Sequence, residues 1–369
     1  MANKACIHAV DALLRLLCAT DKPFGGKPFI GVGDFRQVAP VVRGGGLAAV
    51  IDASIRSLAL WPCFSLRKLE QPMRNVADLE YCNYVDSIGE DINQTRNIQL
   101  QYLKRINSVK EALQWLYPQS VLEDPLLCIQ RSFLATLNAR VDELNGIVLQ
   151  SLQGPTSKCV ITLLRRPSTS ILIIHLSIIE VYFSYDVVKE DSEHPIQLHG
   201  DVLQDYLGML FEPGIPPHQL ELKVGAICTI QRNLSTEKGL VKNARVIICQ
   251  LNRHSIKVAV LPRPNTTLKD LQEYPLSKIN FEFNPNRSSW TVLRKQFPLR
   301  LAYATTFNSS QGLTLDRMVI DLRQGVFAHG QLYTALSRIR HRDHGRALFS
   351  PTNLLGQTTN VVSRELLLQ

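Results

Sequence analysis

The sequence lacks paired cysteines, long apolar runs and an apolar leader. Eight cysteines occur in 369 residues, but no two form a C-x-x-C pair and no His-x-x-x-His pattern accompanies them. We therefore expect no metal site, and scattered buried thiols in a reducing compartment are the better interpretation. The most apolar segment, residues 171–179, is too short to span a bilayer, and Asp11 and Arg15 interrupt the apolar residues near the N-terminus. These absences predict a soluble intracellular protein.

The charge is positive and unevenly distributed. The formal net charge is +9, and residues 287–346 hold ten lysines and arginines against three acids. A basic balance favours polyanions such as nucleic acid or nucleotides, although a basic protein with an ordinary solvated surface has the same composition. With 45% hydrophobic and 20% charged residues, the chain is no disordered polyelectrolyte and can bury the cores of two or three packed units.

Apolar periodicity predicts helices and strands that alternate along the chain. Helical spacing of apolar residues predicts helices in residues 3–18, 76–90, 108–117 and 138–152. Residues 27–33 (KPFIGVG) are a short apolar run next to glycines, which predicts a buried parallel strand. Asp34 and Gln37 would then lie at the carboxyl end of that strand, where open α/β sheets bind their ligands.

The C-terminal half combines a β-rich part with a return to α/β. In residues 220–260, β-forming residues alternate in LKVGAICTI, ARVIICQL and SIKVAVL, which predicts a small all-β barrel. After it, GLTLDRMVIDL predicts a strand and HGQLYTALSRI a helix. Residues 153–180 have no clear helical period, so they are either a β insertion or sequence foreign to the surrounding domain.

Four polar motifs stand beside these apolar elements. They are GDFRQ at 33–37, Arg74 at the end of QPMR, SSQG at 309–312 and Arg338 at the end of LYTALSR. A carboxylate or carboxamide after a strand can contact a phosphate oxygen, and arginines suit phosphate groups. Small hydroxyls beside a glycine allow close approach of a sugar-phosphate backbone. Taken singly, each motif is explained as well or better by a polar turn or a solvated arginine.

Together and in this order, the motifs resemble those of ATP-dependent DNA helicases of the first superfamily. The specific resemblance is to the petite-integration-frequency (PIF) family related to RecD, and within it to Helitron helicase domains. It covers residues 1–150 and 181–369 and is carried by GDFRQ, TTFNSSQG, GQLYTALSR and the β-rich LKVGAICTIQRNLSTEKGLVKNARVII. It implies an α/β fold with a RecA-like second lobe of the P-loop NTPase type, a partial first lobe and an inserted small SH3-like β domain, called 2B.

The resemblance also implies domain boundaries. A remnant of the first lobe would occupy residues 1–72, and the 2B insertion would lie within residues 186–290. The second lobe would be formed by residues 73–185, with 153–180 as an atypical insertion, and by residues 291–369.

Roles at the nucleotide are implied for five residues. Gln37 matches the glutamine that reads the state of the γ-phosphate, and Arg74 and Arg338 match arginines that stabilise charge on the transferred phosphoryl group. Asp34 and Gly312 are the further nucleotide-binding residues that the resemblance implies. ATP and Mg²⁺ are the implied cofactors.

The loop TTFNSSQG is the implied link between DNA and the nucleotide. DNA contacts are implied for Thr306, Asn308, Ser310 and Gln311, while Ser309 stands where many relatives carry a lysine. The implied partner is single-stranded or forked DNA, unwound with 5′ to 3′ polarity. A monomer in the nucleus or the mitochondrion is implied as well.

Two motifs that such a helicase needs are missing from the 369 residues. No G-x-x-x-x-G-K-[ST] P-loop is present, because residues 25–28 read GGKP, and no Asp-Glu pair ends a strand. The expectation is an N-terminally truncated chain that hydrolyses ATP at or near background by itself. Residues 1–72 should then expose apolar surface and an unpaired sheet edge. A non-catalytic remnant that binds single-stranded nucleic acid is the alternative function.

Overall fold

The chain folds into two compact units. A computed structural model describes residues 2–42, 44–69, 71–93, 97–152, 157–160, 173–176, 179–189, 201–261, 271–285, 288 and 290–368. The first unit comprises Met1–Ala112, Phe133–Leu137 and Thr305–Gln369, and the second comprises Leu113–Ser132 and Asn138–Ala304. Within these described ranges no helix is both long enough and apolar enough to cross a membrane.

The helices and strands follow one another along the whole described chain. The α-helices are α1 Lys4–Leu17, α2 Leu47–Ala53, α3 Leu79–Glu90, α4 Val109–Leu116, α5 Gln119–Leu122, α6 Pro125–Cys128, α7 Asn138–Ser151, α8 Asp201–Met209 and α9 Gln331–Leu336. The strands of the first half are β1 Ile98–Gln99, β2 Lys104–Ile106, β3 Arg131–Ala135, β4 Ser157–Val160, β5 Ile173–Leu176, β6 Glu180–Phe183 and β7 Tyr185–Lys189. Those of the second half are β8 Gln219–Leu222, β9 Ile227–Ile230, β10 Arg245–Leu251, β11 Ile256–Val260, β12 Glu273–Leu276, β13 Ile279–Phe283, β14 Thr291–Gln296, β15 Leu299–Leu301, β16 Ala304–Thr306, β17 Arg317–Leu322, β18 Gly345–Phe349 and β19 Gln357–Thr358.

A sheet in the order β16-β3-β17-β18-β2 organises the α/β part. β17 pairs with β18, and β18 with β2, in parallel register. The sequence of β17, RMVIDL, is buried at every position after the first, as expected for a parallel strand covered on both faces. All six residues of α9 are buried, and α9 packs against α3 in the same core cluster.

The helices predicted from periodicity are confirmed. Residues 3–18, 76–90, 108–117 and 138–152 contain α1, α3, α4 and α7. Two of these helices begin at capping side chains: Asn3 accepts a hydrogen bond from the Ala5 amide, and Asp78 accepts one from the Tyr81 amide. Such caps satisfy amides that have no partner inside the helix.

The strand predicted for residues 27–33 is wrong. The structure has no strand pairing there, and Ile30 and Val32 are 86% and 85% exposed. An apolar run becomes a buried strand only when other elements cover it; here the Phe29 ring stacks on Phe24 at 4.2 Å, while Ile30 and Val32 stay exposed. The apolar exposure predicted for residues 1–72 is confirmed. The predicted sheet edge is not, because the residues that the structure describes in this segment form no strand.

The second unit contains an antiparallel sheet in the order β12-β11-β10-β9-β15. Its strands β9, β10 and β11 lie in the three alternating segments of residues 220–260, so the predicted β-rich part is confirmed. β10 pairs antiparallel with β9 and with β11.

A smaller sheet in the order β13-β14-β7 also belongs to the second unit. Its inner face holds a buried ion pair in which Arg294 Nη2 lies 2.9 Å from Asp186 Oδ2, each side chain being 1% exposed. The Arg294 guanidinium also donates to the backbone oxygens of Leu207, Leu210 and Pro216. Because strand side chains alternate between faces, the neighbours of this pair lie on the outer face.

Most of the atypical segment 153–180 lies outside the described residues. Its described part consists of β4 and β5, which pair antiparallel with each other, and of residues 179 and 180. The domain boundaries drawn from the resemblance stay a prediction.

Candidate functional site

A cavity of about 260 Å³ in the first unit is lined by four of the predicted site residues. These residues are Asp34, Gln37, Arg74 and Arg338. They come from the GDFRQ loop, from the segment before α3 and from the end of α9. The fold therefore brings together residues that the sequence places in three separate regions.

Arg338 follows the last turn of α9 and is only 2% exposed. Its Nε donates to the Thr334 carbonyl oxygen at 2.7 Å, and its Nη2 donates to Ser337 Oγ at 2.6 Å. Longer contacts of 3.4 Å join Nη1 to the carbonyl oxygens of Ser310 and Leu313. All of these acceptors are neutral, and the negative charge of Asp34, which favours the charged guanidinium, acts on Arg338 without a direct ion pair.

Arg74 lies at the same place. Its Nη1 donates to the Ser337 carbonyl oxygen at 2.6 Å. Burial lowers the pKa of Arg74, and burial together with the charge of Arg74 lowers the pKa of Arg338 to about 10. Among the described residues neither guanidinium forms an ion pair. Two neighbouring cations without a counter-ion make a site that favours an anion.

The GDFRQ loop is held against α9 by Asp34. The Tyr333 hydroxyl donates to Asp34 Oδ2 at 2.7 Å, and the backbone amide and Nε of Arg36 each donate to Asp34 Oδ1 at 3.1 Å. Burial alone would raise the pKa of Asp34, but the Tyr333 hydrogen bond and the Arg36 charge together hold it below its ordinary value. Asp34 is therefore a fixed carboxylate at neutral pH.

Arg36 is fixed from several sides. Its Nη1 lies 2.8 Å from Asp86 Oδ1 and 3.5 Å from Glu90 Oε1 on α3. Its guanidinium carbon lies 4.9 Å from the centre of the Tyr333 ring, within the range of a cation–π contact. Arg36 thus connects the loop to both α3 and α9.

Gln37 contacts the TTFNSSQG loop. The Gln311 Nε2 donates to Gln37 Oε1 at 3.1 Å, and Gln37 Nε2 donates to Asp34 Oδ2 at 3.3 Å. A change at Gln37 can therefore reach the loop that holds the predicted DNA contacts through one hydrogen bond.

The remaining predicted residues lie in that loop. The Thr306 hydroxyl bonds to Ser309 Oγ at 2.9 Å, and Asn308 Oδ1 accepts from Gln331 Nε2 at 3.2 Å. Ser310 is fully buried and donates to the Phe307 carbonyl oxygen, so its side chain stabilises the turn. Gly312 has φ +86° and open space around it, and it does not line the cavity. The DNA and nucleotide roles of these residues stay predictions.

Residues that the sequence analysis did not single out complete the site. His329 Nε2 donates to the Phe35 carbonyl oxygen at 2.9 Å, while its Nδ1 accepts from the Ser363 amide, and burial lowers its pKa. Gly330 has φ +69°, and a Cβ there would lie 2.4 Å from the Arg36 carbonyl oxygen. Both precede Tyr333 in the HGQLYTALSR segment. Their place at the start of the predicted helix was the one signal in the sequence that could have pointed to them.

The described residues hold no group of three or more His, Cys, Asp or Glu side chains arranged to bind a metal ion. Asp34 and Asp86 line the cavity, but both are bonded to Arg36.

Comparison with known proteins gives consistent matches. A family model described as PIF1-like helicase matches residues 1–100, and one described as the 2B domain of the DNA helicase Pif1 matches residues 205–251. The ATP-dependent DNA helicase PIF1 of Xenopus laevis is 31% identical over 93% of this chain and 44% of its own length. The chain spans about half the length of such curated helicases.

Solved structures show the same fold. The Pif1 helicase of Candida albicans superposes with a TM-score of 0.58 at 20% identity, covering 99% of this chain and 73% of that one. A Bacteroides Pif1 helicase in complex with ADP-AlF3 and ssDNA superposes with a TM-score of 0.57 at 21% identity, covering 94% of this chain and 68% of that one. The likeness confirms the predicted RecA-like α/β fold class.

Proposed function

The chain belongs to the PIF1-like helicase family, and we propose that it forms the second-lobe part of an ATP-dependent DNA helicase. The proposal takes its reaction from the family, whose curated members bear the name ATP-dependent DNA helicase. A 5′ to 3′ polarity, a monomeric state and a nuclear or mitochondrial location belong to the same proposal.

The observation that supports it most directly is the pair of arginines without counter-ions. Arg74 and Arg338 share one cavity with Gln37, and Arg338 is buried there at a cost in solvation free energy. A folded protein keeps such an arrangement when an anion completes it. The phosphate groups of ATP are anions of the right kind, because guanidinium groups bind phosphate oxygens through charged, planar hydrogen bonds.

In the proposed reaction each group has a distinct task. Arg74 and Arg338 stabilise negative charge on the transferred phosphoryl group, an effect that for arginines of this type is worth about 10³–10⁵ in rate. Gln37 contacts the nucleotide side of the cavity and passes changes to Gln311. The 306–311 loop then adjusts its hold on single-stranded or forked DNA.

The cavity fits the phosphate end of ATP better than it fits Mg²⁺. Two guanidinium groups and a carboxamide can bind phosphate oxygens, whereas Asp34 and Asp86 are already bonded to Arg36. ATP supplies the phosphoryl group and its leaving group when it is bound. We propose that Mg²⁺ accompanies ATP through the phosphate oxygens, as Mg²⁺ commonly does in such enzymes.

Anion binding by the arginine pair can be tested by thermal unfolding of the full 369-residue chain. Pyrophosphate should raise the melting temperature of the wild type, because a ligand that binds only the folded state stabilises it by mass action. Arg338→Gln and Arg74→Gln should remove this response. Arg74 is half-buried and its variant should fold even if the Arg338 variant does not.

The matched control is Arg364→Gln, which removes one exposed positive charge from the same unit. It should keep the response to pyrophosphate. A wild type that pyrophosphate fails to stabilise, or an Arg74 variant that responds like the wild type, would refute the proposed site.

The alternative function is a non-catalytic protein that binds single-stranded nucleic acid. We propose it for the 369 residues acting by themselves, which contain no P-loop and no strand-ending Asp-Glu pair, because most of the electrostatic stabilisation of phosphoryl transfer comes from such groups. ATP hydrolysis by the purified chain should then stay at background with or without DNA. Robust hydrolysis stimulated by DNA would decide against this alternative.

A further inference from the structure

Two exposed aromatic residues stand two positions apart in the chain of the second unit. Phe183 ends β6 and Tyr185 begins β7, and their side chains are 56% and 66% exposed. Between them, Ser184 bonds inward to Asp186, whose carboxylate belongs to the buried pair with Arg294. The inward residues are held by this polar network, so the alternating positions Phe183 and Tyr185 are directed to the surface.

Three basic residues lie near the backbone that carries these rings, and the Lys278 ammonium also lies 5.6 Å from the centre of the buried Phe297 ring. Lys295 is the cross-strand partner of Tyr185, which places their side chains side by side on one face. Lys278 Nζ donates to the Phe183 carbonyl oxygen, and Arg232 Nη1 donates to the carbonyl oxygen of Asn280, the cross-strand partner of Lys295.

The positive charges of this face are not neutralised by the described residues. The side chains that the structure describes form no ion pair with Lys278, Lys295 or Arg232. Partial burial and the charge of Lys295 lower the pKa of Lys278. In the described strands of this sheet the acidic residues are Asp186, which pairs with the buried Arg294, and Glu282, which Lys189 binds at 2.5 Å.

We propose that this aromatic-basic face is a binding site for single-stranded nucleic acid, separate from the 306–311 loop. Bases stack on Phe183 and Tyr185, while phosphates contact Lys278, Lys295 and Arg232. Exposed rings accept unpaired bases, because paired bases in a duplex already stack on their neighbours. The proposal goes beyond the helicase function, since it needs no nucleotide and none of the residues around the arginine pair.

The composition of the face predicts which nucleic acids the site distinguishes. Rings and ammonium groups contact bases and phosphates, and the face offers no group fixed to read a 2′-hydroxyl. Oligouridylate and oligodeoxyuridylate should therefore bind alike, and both should bind much more tightly than duplex DNA.

A fluorescence anisotropy titration of the full chain with labelled oligodeoxyuridylate tests the site. The double variant Phe183→Ala/Tyr185→Ala should weaken binding about 5- to 100-fold, the range expected for lost base stacking. Lys295→Gln should weaken binding at low salt and reduce the slope of log affinity against log salt by about 0.7. Both changes affect surface side chains, so thermal unfolding should remain near that of the wild type.

Two controls separate this site from general effects. Phe211→Ala removes another ring of the second unit that is 54% exposed, and Lys110→Gln removes one exposed positive charge elsewhere. Neither should change the affinity by more than about twofold, because a single ring or charge away from the site makes no stacking contact. Photocrosslinking with 5-iododeoxyuridine, followed by mass spectrometry, should label Tyr185 or Phe183.

The outcomes distinguish this proposal from the helicase function. Unchanged affinity of the double aromatic variant, or crosslinks found only outside residues 183–185, would overturn the aromatic-basic face even if pyrophosphate binds at Arg74. A chain that binds no single strand at low salt would overturn it too. Loss of binding in the double aromatic variant supports it, whatever the response to pyrophosphate.

Discussion

Tyr333 contacts three parts of the candidate site. It donates to Asp34, its ring lies under the Arg36 guanidinium, and its backbone belongs to the helix that presents Arg338. Burial and the negative charge of Asp34 raise the pKa of Tyr333, so the hydroxyl stays protonated and keeps donating. A single oxygen atom therefore connects the GDFRQ loop with the arginine site.

Replacing Tyr333 by phenylalanine removes this oxygen and leaves the ring. We expect Tyr333→Phe to lower the free energy of unfolding by about 1.5–3 kcal/mol at neutral pH, the range for a hydrogen bond to a charged group. Urea denaturation measures the loss. Tyr102→Phe is the matched control, because its hydroxyl donates to Glu80 at the surface and its loss should be smaller.

The same variant has a defined pH dependence. The pKa of Asp34 in the folded protein lies below its ordinary value of 3.8, so the carboxylate contributes stability above about that pH and loses it as the pH falls. The difference between the wild type and Tyr333→Phe should therefore be constant near neutrality and shrink below pH 4 or so. A difference that grows on acidification would contradict the assignment of Asp34 as the acceptor.

At the scale of elements, α9 depends on how closely the GDFRQ loop approaches its first residue. Gly330 caps α9 with φ +69°, and its missing side chain leaves room for the Arg36 and Gln37 backbone. A methyl group there would meet backbone oxygen at 2.4 Å, and backbone atoms cannot move aside as a flexible side chain can.

Gly330→Ala should therefore lower the free energy of unfolding by more than the backbone strain of a positive φ alone would. Gly312→Ala is the control, because its φ is +86° but no atom lies within 4 Å of the added methyl. We expect a loss of about 1–2 kcal/mol for the control and about 1–3 kcal/mol more for Gly330→Ala. Equal shifts of the urea midpoints for the two variants would refute the close approach of the loop.

The apolar pattern of the sequence was sufficient to predict those helices and strands that pack against any apolar neighbour. The periodic faces of α3 and α7 and the uninterrupted apolar run of β17 identify them without knowledge of the partner. Residues 27–33 show the limit: the same apolar pattern lies exposed, because strand formation depends on a neighbour that the pattern does not specify. The contact of Asp34 with Tyr333 was equally hidden, since it joins distant parts of the chain through tertiary packing.

At the scale of the whole molecule, the surface of the first unit is unusual. α1 buries Asp11, which accepts a hydrogen bond from the Phe24 amide, while three of its leucines are exposed. Leu13, Leu16 and Leu17 are 54%, 78% and 70% exposed. Their spacing places them on one face of the helix, so they form a continuous apolar stripe. Such stripes on soluble proteins mark surfaces that other apolar groups cover.

The stripe should make the isolated chain associate with itself as its concentration rises. Burying leucine side chains between molecules is favourable by about 25 cal/mol per Å² of apolar surface, and the +9 net charge opposes it less as salt increases. Size-exclusion chromatography with light scattering should show larger species in the wild type and a single monomeric peak for Leu13→Glu/Leu16→Glu.

The control Leu354→Glu/Leu355→Glu alters two leucines of the same unit that are 81% and 71% exposed, and it changes the net charge equally. It should associate like the wild type, because those leucines lie outside the α1 stripe. A wild type that stays monomeric at high concentration and high salt would show that the stripe does not drive association, and a control that becomes monomeric would assign the effect to charge.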